Sequence, residues 1–434
     1  MYDLVIKNGL VYSEESFQKK HVYIANGKIA DISSADYPAK TSIDVSGLEV
    51  LPGIIDPHVH FALDLGTISS KDDFLTGSIA AAYGGVTTII DFLDPTADSV
   101  SVEKAYHKRL KEAQTSCIDY TFHATIKAPK NNLEAYVKTV KTLGLHSLKF
   151  FTTYSESHRK TSDEAIKKLL TLSKKYNLLL LGHIENDALI HHDERFTYRD
   201  LKTSRPSVAE TVEALKMVEY LKHSDGKLYM VHVSSGNTLE AIIETGRSLL
   251  GKQLFLESCP QYFTFTDKIL DSSQGALYTF APPVRSQAEQ DLLFKYQSYL
   301  HTFATDHCAF NKEDKQAEKL SDIPLGIGSI EHSFGIMRYH FGEHVINRMS
   351  KSVATLFQLK QKGSIAIGND ADIHVFDPTP HTIQSHHGGT NYTPYIGVKS
   401  AGQTVHTLVR GQFVIKNKKL IKHRGKLIRS DYNG

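Results

Sequence analysis

Residues 53–60 read GIIDPHVH, an apolar run that ends in two histidines separated by one residue. Apolar runs of this length that begin at glycine are typical of buried strands. Because side chains two positions apart in a strand point to the same face, His58 and His60 would converge on one point. The chain has 23 histidines, so about one His-x-His pair is expected by chance. A metal site therefore requires further ligands from other parts of the sequence.

Seven more apolar, β-rich runs follow the first, with helical patterns between them. The eight runs cover residues 53–60, 87–92, 119–125, 147–151, 178–185, 228–234, 254–260 and 301–307. Intervening segments such as SDEAIKKLLTLSKKY and SVAETVEALKMVEYLK carry apolar residues at the i, i+3, i+4 spacing of an amphipathic helix. Alternating strands and helices favour a parallel sheet, and eight units over about 300 residues match the size of a (β/α)8 barrel. We therefore predict an α/β barrel.

The two ends of the chain have a different sequence pattern, in which short predicted strands alternate with turn signals. Asn-Gly pairs at positions 8 and 26 are typical of hairpins, and the segment SIAIGNDADIHVFD returns to the same pattern after residue 363. We predict one small β-domain made of residues 1–52 and 363–434, with the barrel over residues 53–362 inserted between its two parts. The basic run KNKKLIKHRGKLIR near the end is expected to be a solvated tail.

Composition points away from several classes of protein. The formal net charge is +2, so no strong field attracts nucleic acid or a membrane surface. The three cysteines are scattered and odd in number, which fits a reducing compartment. No signal peptide and no run of 18 apolar residues is present in the sequence, so we expect a cytoplasmic protein.

Potential ligands stand at the ends of five of the eight runs. Chemistry in (β/α)8 barrels lies at the carboxyl ends of the strands, which the barrel gathers around one axis. His123 also ends a run, but a single histidine on an apolar strand is more often a core residue, and we assign it to the core. The candidate ligands are His58, His60, Lys149, His183, His232 and Asp306.

Lys149 is unusual for a metal site because its ammonium would repel cations. It stands among Leu148, Phe150 and Phe151, where burial disfavours the charged form. A neutral lysine can add carbon dioxide and become a carbamate, whose two oxygens can bridge two metal ions. The alternative is a lysine whose long side chain brings its charged head to the barrel rim.

Several ordered motifs resemble the dihydropyrimidinase/hydantoinase branch of the amidohydrolase superfamily. The resemblance covers nearly the whole chain. It implies a TIM barrel with a β-sandwich built from both termini, two Zn²⁺ ions, with Mn²⁺ or Co²⁺ as possible substitutes, and a homotetramer or homodimer. The motifs are DPHVH, SLKFF, GHIEN, VHVS, ESCPQYF, APPVR, ATDHCAF and GSIAIGNDADIHVFDP.

The resemblance also implies roles for individual residues. A bridging hydroxide would be the nucleophile, Tyr154 would donate to the oxyanion, and Asp306 would carry the proton to the leaving nitrogen. The backbone at Ser258 and Leu325 would contact the substrate, although Leu325 replaces an asparagine usual in the family. The implied metal ligands are His58, His60 and Asp306 for one ion, His183 and His232 for the other, and carboxylated Lys149 as the bridge.

The implied reaction is hydrolysis of the cyclic amide bond of a dihydropyrimidine or hydantoin to an N-carbamoyl amino acid. The loop after Tyr154 reads SESHRKTSD, where hydantoinases are usually apolar. Its Ser157, His158 and Arg159 suggest a polar or acidic substituent on the substrate, and a solvated loop that never meets the substrate is the alternative.

Three competing interpretations remain. Allantoinase and dihydroorotase use the same binuclear site, and the sequence alone leaves the natural substrate open. The collapsin-response mediator proteins resemble the family as non-catalytic scaffolds, but they lack most metal ligands, whereas all six positions are filled here. A mononuclear deaminase on the same barrel would need no lysine at position 149.

Overall fold

Five strands form the first part of the small β-domain. This structure, a computed structural model, describes residues 1–129 and 132–429, which include the whole basic run KNKKLIKHRGKLIR. The strands are β1 (Tyr2–Ser13), β2 (Ser16–Ala25), β3 (Lys28–Ser33), β4 (Ala39–Asp44) and β5 (Glu49–Pro52).

Of the two predicted Asn-Gly hairpins, the second is confirmed and the first is wrong. Asn26 and Gly27 join β2 to β3 with positive φ angles of 53° and 76°. Asn8 and Gly9 instead form a bulge inside β1, where the pairing register with β2 shifts. The bulge requires glycine because a Cβ at position 9 would come within 2.4 Å of Val50. Tertiary packing thus decides between two structures that the same dipeptide favours.

The predicted barrel is confirmed. Eight parallel strands neighbour one another in chain order, and a bridge between Val59 and His307 joins the two edges of the sheet. The strands are β6 (Ile54–Val59), β7 (Val86–Phe92), β8 (Asp119–Thr125), β9 (Ser147–Phe151), β10 (Leu179–His183), β11 (Leu228–Met230), β12 (Leu254–Ser258) and β13 (Thr302–Phe303). The helices are α1 (Thr76–Tyr83), α2 (Ser99–Glu112), α3 (Leu133–Thr142), α4 (Asp163–Lys175), α5 (Leu201–Ser204), α6 (Ser207–Lys222), α7 (Gly236–Gly246), α8 (Pro260–Thr264), α9 (Gln287–Tyr296), α10 (Ser333–Phe341), α11 (His344–Arg348) and α12 (Lys351–Leu356).

Helix α4 illustrates why the intervening segments are helical. The side chain of Ser162 accepts the N–H of Ala165, which caps the first turn, and lysines occupy the last turn, where they favour the helix dipole. The apolar face carries Ile166, Leu169 and Leu170, all buried against the barrel core. Local signals and packing therefore agree in this segment.

The carboxyl-terminal strands complete the small domain. β14 (Ile373–Asp377) pairs antiparallel with β5, so both ends of the chain share one nine-stranded sheet, which branches at β1 where β4 pairs. The shared β-domain is therefore confirmed, while its bounds at residues 52 and 363 stay predictions. The remaining strands are β14 (Ile373–Asp377), β15 (His381–Thr382), β16 (Lys399–Ser400), β17 (Gln403–Val409), β18 (Gln412–Lys416) and β19 (Lys419–Leu420).

A buried ion cluster joins the small domain to the amino-terminal end of the barrel. Lys362 Nζ lies 2.7 Å from Asp119 on β8 and 2.6 and 3.0 Å from Asp372 and Asp370. Arg410 on the small domain also pairs with Asp119. Each buried charge has an opposite partner, which offsets the desolvation cost and holds the two domains in one orientation.

Part of the basic tail is packed, so the prediction of a solvated tail is wrong there. Tyr120 N donates to Lys426 O at 3.0 Å, and Ile428 N donates to Tyr120 O at 2.8 Å, so the tail runs beside β8. Leu427 and Ile428 pack against apolar clusters of the barrel. These two apolar residues stand among lysines and arginines, so the sequence pattern of this segment gives little indication that it packs.

The three cysteines are buried free thiols. Among the helices in the described part of the chain, none is both long enough and apolar enough to cross a bilayer.

Candidate active site

One cavity lies at the carboxyl ends of the barrel strands, and it gathers nearly all the residues that the sequence singles out. His58, Lys149 and His183 lie on their strands, whereas the other three candidate ligands lie just after theirs. Apolar side chains from the loops form much of the remaining wall. The predicted site residues that line this cavity are His58, His60, Lys149, Tyr154, His183, His232, Asp306 and Leu325.

His58, His60 and Asp306 form a cluster that fits a divalent cation. Each imidazole Nε2 lies 3.1 Å from Asp306 Oδ1, and one ligand atom from each of the three residues lies within 4.8 Å of the others. The contact of the buried His58 Nε2 with Asp306 lacks hydrogen-bond geometry, and a buried polar atom without a hydrogen bond within the described chain is costly. Burial alone would raise the pKa of Asp306, but His58 and its neighbours hold it well below its usual value. The carboxylate is therefore ionised.

His183 and His232 form the other half of the site. Their ring centres lie 4.6 Å apart, and the ring of His232 lies 5.5 Å from that of His58. Burial lowers the pKa of His183 to about 4 and that of His232 well below its usual value. Both imidazoles are therefore neutral, which is the form that binds metal ions.

Lys149 lies between the two halves in an apolar setting. Its Nζ is 5.3 and 5.5 Å from the ring centres of Phe92 and Phe151, and no carboxylate in the described residues forms an ion pair with it. Burial lowers the pKa of Lys149 to about 8, although Asp306 and Glu257 favour the charge. The neutral amine is therefore far more accessible near neutral pH than in an exposed lysine, and neutral amines react with carbon dioxide.

Two glutamates that we did not predict orient the histidines. Glu257 on β12 accepts a hydrogen bond from His58 Nδ1 at 2.8 Å and from the backbone N–H of His232 at 2.9 Å. Glu185 accepts from His183 Nε2 at 2.7 Å and pairs with Arg205. These bonds leave His58 Nε2 and His183 Nδ1 free to face a metal. The signal in the sequence was a glutamate inside an apolar run, which requires a buried partner.

Given the metals and the hydrolysis that the sequence motifs imply, replacing Glu257 with glutamine is expected to weaken metal retention and hydrolysis by about 10- to 100-fold, the usual effect of losing such an orienting carboxylate. The amide keeps the size of the side chain but removes the charge that fixes His58. Zinc content by mass spectrometry and ring-opening rates measure the effect. Tyr229→Phe is the matched control, because the Tyr229 hydroxyl contacts Glu257 Oε2 and Thr302 Oγ1 rather than the Oε1 that accepts from His58. Equal zinc content and rates in Glu257→Gln and Tyr229→Phe would contradict the assignment.

The backbone is strained at three site residues. Tyr154, His232 and Asp306 have φ angles of 69°, 41° and 52°, in the left-handed region that residues with a Cβ seldom adopt. Such residues persist where surrounding structure forces them, and they cluster at functional sites. Here the turn just after a strand directs each side chain toward the cavity.

Tyr154 presents a protonated phenol to the cavity. Its ring lies 5.1 Å from that of His183, and the guanidinium of Arg205 stacks 4.9 Å from its centre. Burial raises the pKa of Tyr154 to about 12, an effect that Arg205 partly offsets. The phenol can therefore donate a hydrogen bond at neutral pH.

The two predicted backbone contacts differ in their placement. Leu325 lines the cavity, and its N–H and C=O make no hydrogen bond within the described residues. The buried Lys315 holds the flanking carbonyls of Pro324 and Gly326 at 2.5 and 2.7 Å, which fixes the backbone of Leu325. Ser258 is fully buried at the end of β12, and its carbonyl accepts the N–H of Ala304.

His123 is a core residue, as the sequence suggests. Its Nδ1 lies 2.5 Å from Ser147 Oγ and its Nε2 lies 2.8 Å from Pro57 O. Both ring nitrogens are occupied, so His123 has no lone pair left for a metal ion.

Comparisons with known proteins agree with the family resemblance of the sequence motifs. Residues 50–247 match the amidohydrolase family. The D-hydantoinase of Geobacillus stearothermophilus is 32% identical over 97% of this chain and 94% of its own length, and an Escherichia coli D-phenylhydantoinase is 30% identical over 95% and 94%. The crystal structure of dihydropyrimidinase from Brevibacillus agri is 30% identical, has a TM-score of 0.93, and covers 99% of this chain and 98% of its own. From its sequence motifs, its barrel and these relatives, the chain belongs to the hydantoinase branch of the amidohydrolase family.

Proposed function

We propose that this protein hydrolyses the ring amide of a cyclic ureide, a hydantoin or dihydropyrimidine, to the N-carbamoyl amino acid. The observation that carries the proposal is the convergence of four histidines, Asp306 and a lysine of lowered pKa in one cavity. Relatives named hydantoinase and dihydropyrimidinase, which match this chain over almost its whole length, support this class of substrate.

The residues present fit a pair of divalent cations, and we assign zinc because the set combines imidazole and carboxylate ligands. His58, His60 and Asp306 would hold one ion, and His183 and His232 the other. Carboxylation of Lys149 would turn a buried cation into an anion and supply the bridging oxygens. When bound, the metal pair supplies a hydroxide nucleophile at neutral pH and polarises the substrate carbonyl.

The side chains around the pair perform the remaining tasks. Tyr154 would donate a hydrogen bond from its phenol to the developing oxyanion, from a position that its strained backbone fixes in advance. Asp306 accepts a proton and delivers it to the leaving nitrogen, since its carboxylate is ionised before the reaction. The main chain of Leu325 would provide a free donor and acceptor for the ring imide. Ser258 is fully buried outside the lining of this cavity and its carbonyl already accepts the N–H of Ala304, so its substrate contact stays a prediction. We also expect a homotetramer or homodimer.

Metal removal followed by a substrate panel tests the proposal. Protein treated with a chelator is expected to lose activity, and zinc with bicarbonate is expected to restore it together with two zinc ions per chain. The panel consists of hydantoin, dihydrouracil, allantoin and dihydroorotate, with ring opening followed by absorbance. Faster opening of allantoin or dihydroorotate would assign the chain to another cyclic amidohydrolase. A chain that binds no stoichiometric zinc and opens none of the rings would be a scaffold.

A further inference from the structure

Arg159 lines the same cavity as the candidate ligands, and its charge is not neutralised. The loop that carries it folds back onto Tyr154, because Arg159 N donates to Tyr154 O at 3.1 Å. The side chain is half-buried and close enough to Tyr154 to lower the pKa of its phenol. Within residues 1–129 and 132–429 the guanidinium has neither a hydrogen-bond acceptor nor an ion-pair partner. Half-buried guanidinium groups commonly pair with an anion, so this unpaired guanidinium is available to bind an anionic group of a ligand.

Besides Asp306, two further carboxylates line the cavity, and neither pairs with Arg159. Asp94 Oδ2 lies 2.7 Å from Lys108 Nζ, which balances its charge. Asp64 is exposed, and its Oδ1 accepts the N–H of Gly66 at 2.8 Å. The positive charge beside Tyr154 is therefore left for a ligand.

We propose that Arg159 determines specificity by binding a carboxylate on the substituent of the substrate ring. This inference rests on the proposed function. A planar carboxylate can accept two parallel N–H bonds from the guanidinium, whereas a neutral amide of the same shape cannot match both donors. The preferred substrates are cyclic ureides with a short acidic arm, such as a two-carbon chain ending in a carboxylate.

The test compares two compounds of nearly equal shape, 5-(2-carboxyethyl)hydantoin and 5-(2-carbamoylethyl)hydantoin. The zinc-loaded, full-length protein is expected to favour the acid in kcat/KM by about 10- to 100-fold, the range for a hydrogen-bonded ion pair. Arg159→Gln should reduce this ratio to about one by slowing the acid and leaving the amide nearly unchanged. Arg159→Lys should retain part of the preference, because it keeps the charge but loses the bidentate geometry. The preference should also fall as salt screens the charge.

Lys160→Gln is the matched control, since it removes one positive charge from the same loop, where Lys160 pairs with Asp187. The acid-to-amide ratio of this variant should equal that of the unchanged protein. An acid-to-amide ratio near one in the unchanged protein, or an equal fall of that ratio in Arg159→Gln and Lys160→Gln, would overturn the inference. Ring opening of hydantoin in the same experiment would still uphold the proposed function.

Binding of the same two compounds, measured by calorimetry, separates the two proposals further. If neither hydantoin is opened but the acid binds more tightly in an Arg159-dependent way, the proposed function fails and the carboxylate site stands. Equal dissociation constants for the acid and the amide would remove the site whether or not turnover occurs.

Discussion

Replacement of Lys149 with methionine is expected to lower the ring-opening rate by about 10³-fold or more, the scale of removing a central member of a catalytic unit. Methionine has a similar length but cannot form a carbamate, so the proposed bridge between the two halves of the site would be lost. We expect zinc content to fall below two ions per chain. In the unchanged protein, ¹³C NMR after incubation with ¹³C-bicarbonate should show one carbamate signal that Lys149→Met lacks.

We expect Lys149→Met to fold, so a loss of activity can be assigned to the missing lysine rather than to unfolding. Lys149 is buried among aromatic side chains, and burial already disfavours its charge, so an apolar side chain removes a desolvation cost. The melting temperature of the metal-free variant should therefore equal or exceed that of the metal-free original. Full activity, or two retained zinc ions in Lys149→Met, would leave no place for a bridging carbamate.

Asp306→Asn is expected to lower kcat by about 10²- to 10⁴-fold, the range for loss of a general acid–base group, with a smaller effect on KM. Asparagine has the same shape, but it cannot take a proton from the nucleophile and return it to the leaving nitrogen. It is also a weaker ligand, so tolerance of chelator should fall as well. Single-turnover rates and chelator titrations measure the two effects separately.

Asp64→Asn is the matched control for this prediction, because Asp64 lines the same cavity without contacting the histidine cluster. Its rate on unsubstituted hydantoin should stay within about twofold of the original, as for most surface changes. Equal losses in the two variants would show that carboxylate charge in the cavity, rather than a proton carrier at Asp306, determines the rate.

Local patterns predicted a large part of the fold. Strand and helix periods are visible in single segments, so the eight units and the positions of His58, Lys149 and His183 on their strands follow from the sequence. The bulge at Asn8 and the packed tail do not, since each depends on a surface brought from elsewhere in the chain. Gly9 is confined by Val50, and Leu427 lies beside β8.

The orienting residues of the site show the same division. Glu257 is 199 positions from His58 in the sequence, and no local period relates the two residues. Glu185 lies only two residues from His183, yet its role depends on Arg205, which the fold brings from 20 positions away. Such contacts between distant positions are formed only when the barrel closes.

The sequence by itself determined the barrel, the shared β-domain, the family and which strand ends carry ligand-type side chains. These features rest on periodicity and short motifs, which act over a few residues. Only the tertiary structure decided that the candidate ligands face one cavity, that burial lowers the pKa of Lys149, and that Arg159 lies unpaired beside Tyr154. Those properties depend on burial and on distances between remote positions, and both quantities arise only after the strands have assembled.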